Sequence, residues 1–443
     1  MTDSLRELDL RHLWHPYTDA NYFEQSPYTS FDRAEGVYLY RPDGTPVLDG
    51  IASWWAVALG HSHPAVIEAI REQAGILQHS ILGNLSHPLA VRLAARLAEI
   101  TPEGLNRAYF ACDGASATES AMKMAIQYWA NIGKPEKHRF VSLQDGYHGD
   151  TLGAVGVGFV PEFHRHFDKA VVHSYVADSP HCTCCPYEKE EDHCALTAFE
   201  SMRSLVEEHH SEIAAVILEP LCQGAAGIRI YPAEYLRRAR ALCDEYDLIL
   251  IADEIAVGFW RTGKLFACET AGIVPDILCL GKALTAGYLP MSVAITTDRI
   301  FEAFRSDDEH DRTFYDGHTF CGNPITAAAA LAAIDIYAGP EIPENVLTLI
   351  PILKEGFAEI GEIRGVEYQK TLGMIGMCGF TRESGGSEFA RKAARIAMER
   401  GLFIRPLGDV LYLWPPLVTT PEQLHEMLAH FRDAIGAASD QTT

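Results

Sequence analysis

Residues 248–282 read LILIADEIAVGFWRTGKLFACETAGIVPDILCLGK, and the fold turns on them. Two apolar runs, 248–252 and 277–280, are rich in Ile and Leu and too short to be good helices, so they are read as buried strands. The first runs into Asp253-Glu254 and the second into Gly281-Lys282. A carboxylate and a lysine therefore stand at the carboxyl ends of two strands, where ligands gather in open α/β sheets. Taken alone, this spacing serves a buried ion pair as well as a catalytic pair, because both perturb pKa values.

Working outward, helical periodicity over 64–78, 88–100 and 116–131 alternates with short apolar runs at 108–111, 139–143, 214–218, 248–252, 277–280 and 292–296. That order predicts an α/β fold with a largely parallel sheet. An Ala-rich helix at 324–337 closes it. A smaller α+β domain is expected to follow, with strands at 366–369 and 374–380, a helix at 387–400 and a last strand near 410–414. Residues 36–49 read as a hairpin around Pro42-Asp43-Gly44. The expected division is an N-terminal arm and hairpin packing with the small domain (1–60), a large domain (61–338) and the small domain (339–443). The tail after 438 is expected to be disordered.

The 443 residues carry 60 acidic and 36 basic side chains, a formal net charge of -24. Such a balance argues against nucleic acid or an anionic membrane as the main partner. Eleven cysteines without a secretory segment indicate free thiols in a reducing compartment, hence a cytoplasmic protein. No apolar run approaches the ~20 residues that span a bilayer. His61 and His63 beside Pro64 fit a turn better than a metal pair. The cluster His181, Cys182, Cys184, Cys185, His193 and Cys194 has the residue types of a zinc site but no two facing C-x2-C pairs, so free thiols in a loop are expected and no metal.

Other motifs supply chemistry. Cys112-Asp113-Gly114-Ala115-Ser116 follows a predicted strand, and Ser116 and Glu119 have capping-box spacing. Small residues there leave helix-terminal N–H groups open to an anion such as phosphate. Tyr147, between Gly146 and His148-Gly149 at another strand end, is placed to stack on a flat ring. His148 reads equally as a base or a structural donor. Of the adjacent Trp54 and Trp55, at least one is expected to face a cleft or an interface. Together, a carboxylate for a pyridinium nitrogen (Asp253), a desolvated lysine for an aldehyde (Lys282), a stacking tyrosine and a phosphate cup describe a pyridoxal 5′-phosphate site.

The chain resembles the fold-type I, class III aminotransferases over about residues 11–417. The resemblance rests on IADEIAVGFWRTGKLFA with PDILCLGKAL, and on Trp14-His15-Pro16-Tyr17, Ser53-Trp54-Trp55, AMKMAIQYW, GYHGDT, Thr319-Phe320 before Gly322-Asn323-Pro324, and Ile404-Arg405-Pro406. It implies that Lys282 and Asp253 are catalytic, with Tyr17 beside them. By the same resemblance Gly114, Ala115 and Tyr147 hold pyridoxal phosphate, while His318 and Thr319 reach the phosphate of the partner subunit in a homodimer. Trp54, Tyr147, Gly317, Arg405 and, more weakly, Arg261 would bind substrate, Arg405 by clamping a carboxylate. The subgroup that these motifs resemble passes the amino group of S-adenosylmethionine to 8-amino-7-oxononanoate in biotin biosynthesis; lysine or an ω-amine is the alternative donor. A catalytically silent cofactor- or metal-binding regulator is the rival of another class. Three departures stand out. Trp260 occupies a position where the family usually has glycine, and is expected near the substrate approach. Ala115 replaces a hydroxyl residue, and the Cys-rich segment is insertion-like.

Overall fold

The computed structural model describes residues 4–27, 29–181, 191–380 and 385–440, with backbone alone at 191–195. Its centre is a seven-stranded sheet. In chain order the strands are β1 (Leu105–Ala111), β2 (Arg139–Leu143), β3 (Tyr175–Ala177), β4 (Ile213–Leu218), β5 (Ile249–Asp253), β6 (Ile277–Leu280) and β7 (Ser292–Thr297). Across the sheet they run β1-β7-β6-β5-β4-β2-β3. Only β7 is antiparallel to its neighbours. Every residue of β4, β5 and β6 is buried, which is why these strands read as continuous apolar runs rather than alternating ones.

Helices cover both faces. Helix α1 (Gly114–Asn131) packs on β6, β7 and β4, and the Ala-rich α2 (Pro324–Ala338) packs against Pro64–Ala74 and Pro88–Ile100. Among the described residues no single helix is long and apolar enough to cross a membrane. Beyond α2, strands Val366–Leu372, Ile375–Phe380 and Val410–Leu413 form a second sheet. The expected hairpin forms, with Tyr38–Tyr40 pairing antiparallel to Pro46–Asp49. Leu402–Phe403 then pairs parallel to Pro46–Asp49, so the two ends of the chain share one small sheet. The C-terminal helix runs on to Asp440, two residues past the point where disorder was expected to begin, because Ala434, Ile435 and Ala438 are buried.

After this hairpin the backbone does something the sequence does not advertise. Ala52, Ser53, Trp54 and Trp55 all have positive φ, at 47°, 44°, 69° and 72°. A left-handed conformation costs a non-glycine residue roughly 1–2 kcal/mol. The buried Asp49 carboxylate offsets that cost. Its Oδ1 accepts the Ile51 and Ser53 N–H groups, and its Oδ2 accepts the Ser53 hydroxyl at 2.7 Å and faces His61 Nε2 at 2.9 Å. His61 is thus part of a backbone clamp, and the turn throws the two tryptophans to different sides. Asp49→Ala leaves these donors without acceptors and is expected to cost about 3 kcal/mol of stability. Urea denaturation of the two proteins measures it.

Candidate active site

Parallel pairing sets Asp253 opposite Cys279, so Asp253 and Lys282 leave the sheet at the same edge. Asp253 is buried; its Oδ2 lies 2.8 Å from His148 Nδ1 and its Oδ1 accepts the N–H of Ile255. His148 is therefore the partner that orients Asp253. Lys282 opens a short 3-10 turn at φ 43°, with Nζ 5.3 Å above the ring of Trp55. Burial lowers its pKa, while the charges of Asp253 and Glu219 oppose that shift. Among the described residues no ion pair joins Lys282 to Asp253. The space between them is a cleft of about 480 Å³, lined by Trp55, Gly114, Ala115, Tyr147, Asp253 and Lys282 among others. That volume suits a cofactor-sized molecule.

One end of the cleft is the N-terminus of α1. The helix starts two residues before Ser116, and Asp113, not Ser116, is its cap, accepting the Ser116 N–H at 2.9 Å. Glu119 instead accepts from Thr151 Oγ1 and from the Gly153 and Ala154 amides. The amides of Gly114 and Ala115, at the first helical positions, have no acceptor within the helix. Gly149, at φ 123°, lets its loop close on this terminus, since a Cβ there would lie 2.3 Å from that of Ala115. An amide-lined terminus, a buried carboxylate and an unpaired, desolvated lysine at the two strand ends are the groups that a phosphorylated pyridine aldehyde requires, so the residues present fit pyridoxal phosphate.

Tyr147 is held at both ends. Its N–H donates to Glu219 Oε2 at 3.0 Å and its hydroxyl donates to Asp150 at 3.0 Å. Glu219 also accepts the Gly224 N–H, and burial pushes its carboxyl up to about 7. Sequence reasoning missed Glu219, although it directly follows β4, and the same strand-end rule finds it.

At the mouth, Tyr17 donates its hydroxyl to Asp150, with both carboxylate oxygens 2.7 Å away. Burial, reinforced by Asp150, raises the Tyr17 pKa to about 12. The ring meets Trp54 edge-on at 5.7 Å, and the Arg405 guanidinium sits 4.3 Å from the Trp54 centroid. Among the described residues no carboxylate pairs with Arg405. Trp54 thus faces the mouth and Trp55 the inner wall. Trp14, three residues before Tyr17, is 93% exposed, so within one chain Tyr17 is the anchor of the arm and Trp14 is not.

Four expected site residues lie elsewhere. Gly317 and Thr319 are exposed and His318 is half-buried, in a segment outside this chain's cleft. Arg261 is a correction. Its side chain is buried, Nη1 donates to the carbonyls of Met374 and Pro415, and the guanidinium lies 5.2 Å from the Trp414 centroid. Among the described residues no carboxylate pairs with it, and burial lowers its pKa to about 9. It joins the two sheets' loops and does not reach the cleft. Trp260 is a second correction, because its indole donates to the Tyr337 carbonyl at 2.8 Å, on α2, and does not line the cleft. Its φ of 68° explains why glycine is usual there. The Cys-rich cluster lies outside the described residues apart from His181 and the backbone of His193 and Cys194.

Comparison with known proteins agrees with this geometry. The family model described as Aminotransferase class-III matches residues 21–435. The chain belongs to the class III aminotransferases. Pyridoxal 5′-phosphate is the cofactor of this class. An adenosylmethionine-8-amino-7-oxononanoate aminotransferase of Geobacter sulfurreducens is 38% identical, over 96% of this chain and 95% of its own. The crystal structure of the enzyme of that name from Methanocaldococcus jannaschii superposes with a TM-score of 0.91 at 34% identity, covering 98% of each chain. An omega transaminase of Pseudomonas jessenii, in complex with PMP, gives 0.93 at 28% identity, covering 99% of each. In a class III aminotransferase built this way, Glu219 binds a proton on folding. Its pKa rises from 4.5 to about 7, so this group favours the folded state most below pH 4.5, and that contribution is lost as pH rises through 7. Glu219→Gln is expected to weaken the fall in unfolding free energy between pH 5 and pH 8. Glu254, also raised by burial to about 7, contributes with the same sign.

Proposed function

We propose that the protein transfers the α-amino group of S-adenosylmethionine to the ketone of 8-amino-7-oxononanoate, giving 7,8-diaminononanoate in biotin biosynthesis. The observation that carries this reading is the cleft mouth. Tyr17, Trp54 and Arg405 surround the approach to Lys282 with two aromatic faces and one cation, in a chain whose relatives of that name match over nearly its whole length. An aliphatic keto acid needs an apolar wall and a guanidinium for its carboxylate, and an adenosyl group needs a flat face.

When bound, pyridoxal phosphate supplies a conjugated ring that accepts the electron pair released as a Cα–H bond breaks. The protein's part is to bind, orient and carry protons. The Gly114 and Ala115 amides would hold the phosphate and Tyr147 would stack on the ring. Asp253, oriented by His148, would keep the ring nitrogen protonated. Lys282, its pKa lowered by burial, would attach the aldehyde and then shuttle the proton at the substrate carbon. Tyr17 would border that carbon.

Gly317, His318 and Thr319 would serve the active site of a second copy, which makes the protein a homodimer. Ile81, Leu85, Tyr315 and Phe320 are exposed apolar side chains that such a partner would cover, and His79 stands against Phe320 at 5.2 Å. The same reading divides the chain into arm and hairpin (1–60), large domain (61–338) and small domain (339–443), and places the enzyme in the cytoplasm.

A donor screen tests the reaction. S-adenosylmethionine is expected to convert the cofactor's aldehyde absorption to that of the amine form, and conversion by lysine or an ω-amine without conversion by S-adenosylmethionine overturns the reading. In steady-state assays Arg405→Ala is expected to raise KM for 8-amino-7-oxononanoate by about 30- to 100-fold, the loss of one charge-assisted pair.

A further inference from the structure

Asp150 ties the N-terminal arm to the cleft. Its carboxylate accepts the hydroxyls of Tyr17 and Tyr147, yet its side chain is about half exposed (51%), and such a group turns freely unless something fixes it. Behind it lies His164, 2% exposed, on the short helix Pro161–His164. His164 Nδ1 accepts the N–H of Val160 at 3.1 Å. Only an unprotonated ring nitrogen accepts, so the proton of the neutral ring is on Nε2. That nitrogen lies 3.2 Å from Asp150 Oδ1 and donates to it. The His164 ring is nearly parallel to that of Tyr147, with centroids 6.2 Å apart and planes at 16°. Phe163, the preceding residue, meets the Tyr17 ring edge-on at 5.4 Å. One four-residue helix thus touches both tyrosines and the carboxylate between them.

We propose that His164 is a positioning residue of the substrate cleft: its Nε2–H, kept in that tautomer by the Val160 amide, aims Asp150 so that the Tyr17 and Tyr147 hydroxyls converge at the mouth. This inference rests on the aminotransferase reading of the cleft. Burial raises the Asp150 pKa, but hydrogen bonds from His164, Tyr17 and Tyr147 outweigh it and hold the carboxyl below its ordinary value, so Asp150 accepts at neutral pH. His164 gives no proton to substrate; it acts through Asp150.

Two variants of the full-length holoenzyme separate the donor from the ring. His164→Asn keeps an acceptor for Val160 but is too short to reach Asp150, whereas His164→Gln places an amide N–H near the Nε2 position. H164N is expected to raise KM for both substrates about fivefold or more, with kcat within about twofold and the cofactor absorption unchanged, and H164Q is expected to stay within about twofold of the parent. Tyr17→Phe is expected to add little to H164N, since both break one network. Hydrogen exchange over residues 13–19 is expected to quicken in H164N and not in H164Q. Equal KM values in the two variants, or arm exchange unaltered in H164N, overturn the proposal. The exchange result needs no turnover, so a parent enzyme inert toward S-adenosylmethionine removes the functional reading and leaves this one decidable. If H164N does not fold, nitrogen NMR of histidine-labelled parent protein decides: a His164 ring protonated at Nδ1 overturns the proposal.

Discussion

Asp253 and Lys282 are opposite charges on neighbouring strands, both desolvated and kept apart. Parallel pairing of β5 with β6 delivers them to one edge of the sheet, and their separation is enforced from outside the pair. His148 and the Ile255 amide occupy the oxygens of Asp253, while the left-handed start at Lys282 lays its side chain over Trp55. Burial lowers the pKa of Lys282 while the charges of Asp253 and Glu219 oppose that shift, so the two groups act on one space without closing it by a direct pair. The cleft, the open helix terminus and the stacking tyrosine all lie around this gap.

The rim is built on a different principle. The inner groups stand on strand ends and are rigid by sheet pairing, whereas Tyr17, Trp54 and Arg405 come from an arm, a strained turn and the small domain. They are joined by rings and by the Asp150 carboxylate. Glu219 bridges the two zones, accepting the amide of Tyr147 from within the core. Transamination asks for this contrast, since the chemistry at the cofactor is the same in both half-reactions while the substrate changes between them.

The sheet was readable because burial on both faces erases alternation and leaves plain apolar runs, so 139–143 and 277–280 agree with the observed strands at both ends. Asp253, Lys282, Tyr147 and Gly114 were readable because each ends a strand or begins the helix after one. What escaped depends on contacts between distant segments. The two-residue strand Leu402–Phe403 exists only by pairing with Pro46–Asp49. Arg261 sits in a motif next to the site, yet carbonyls from residues 374 and 415 draw it into the core. Trp260 was expected at the substrate approach because of its size; its positive φ turns the indole toward α2 instead. His164 shows no sign of its part, since the helix that carries it is four residues long and its partner Asp150 joins the nearby Tyr147 to Tyr17, which is far away in the chain.

The small sheet shared by both chain ends also sets an order of events during synthesis. Trp55 donates to Tyr412, a residue 357 positions later, and the Arg41 guanidinium reaches the Met398 carbonyl across the same separation. The first hairpin to leave the ribosome therefore waits, with its partner strand unmade, until nearly the whole chain has been translated. Non-local pairing of this kind slows folding and leaves strand edges open to wrong partners in the meantime. Shortness is its protection: strands of three and four residues offer little edge to a stray chain.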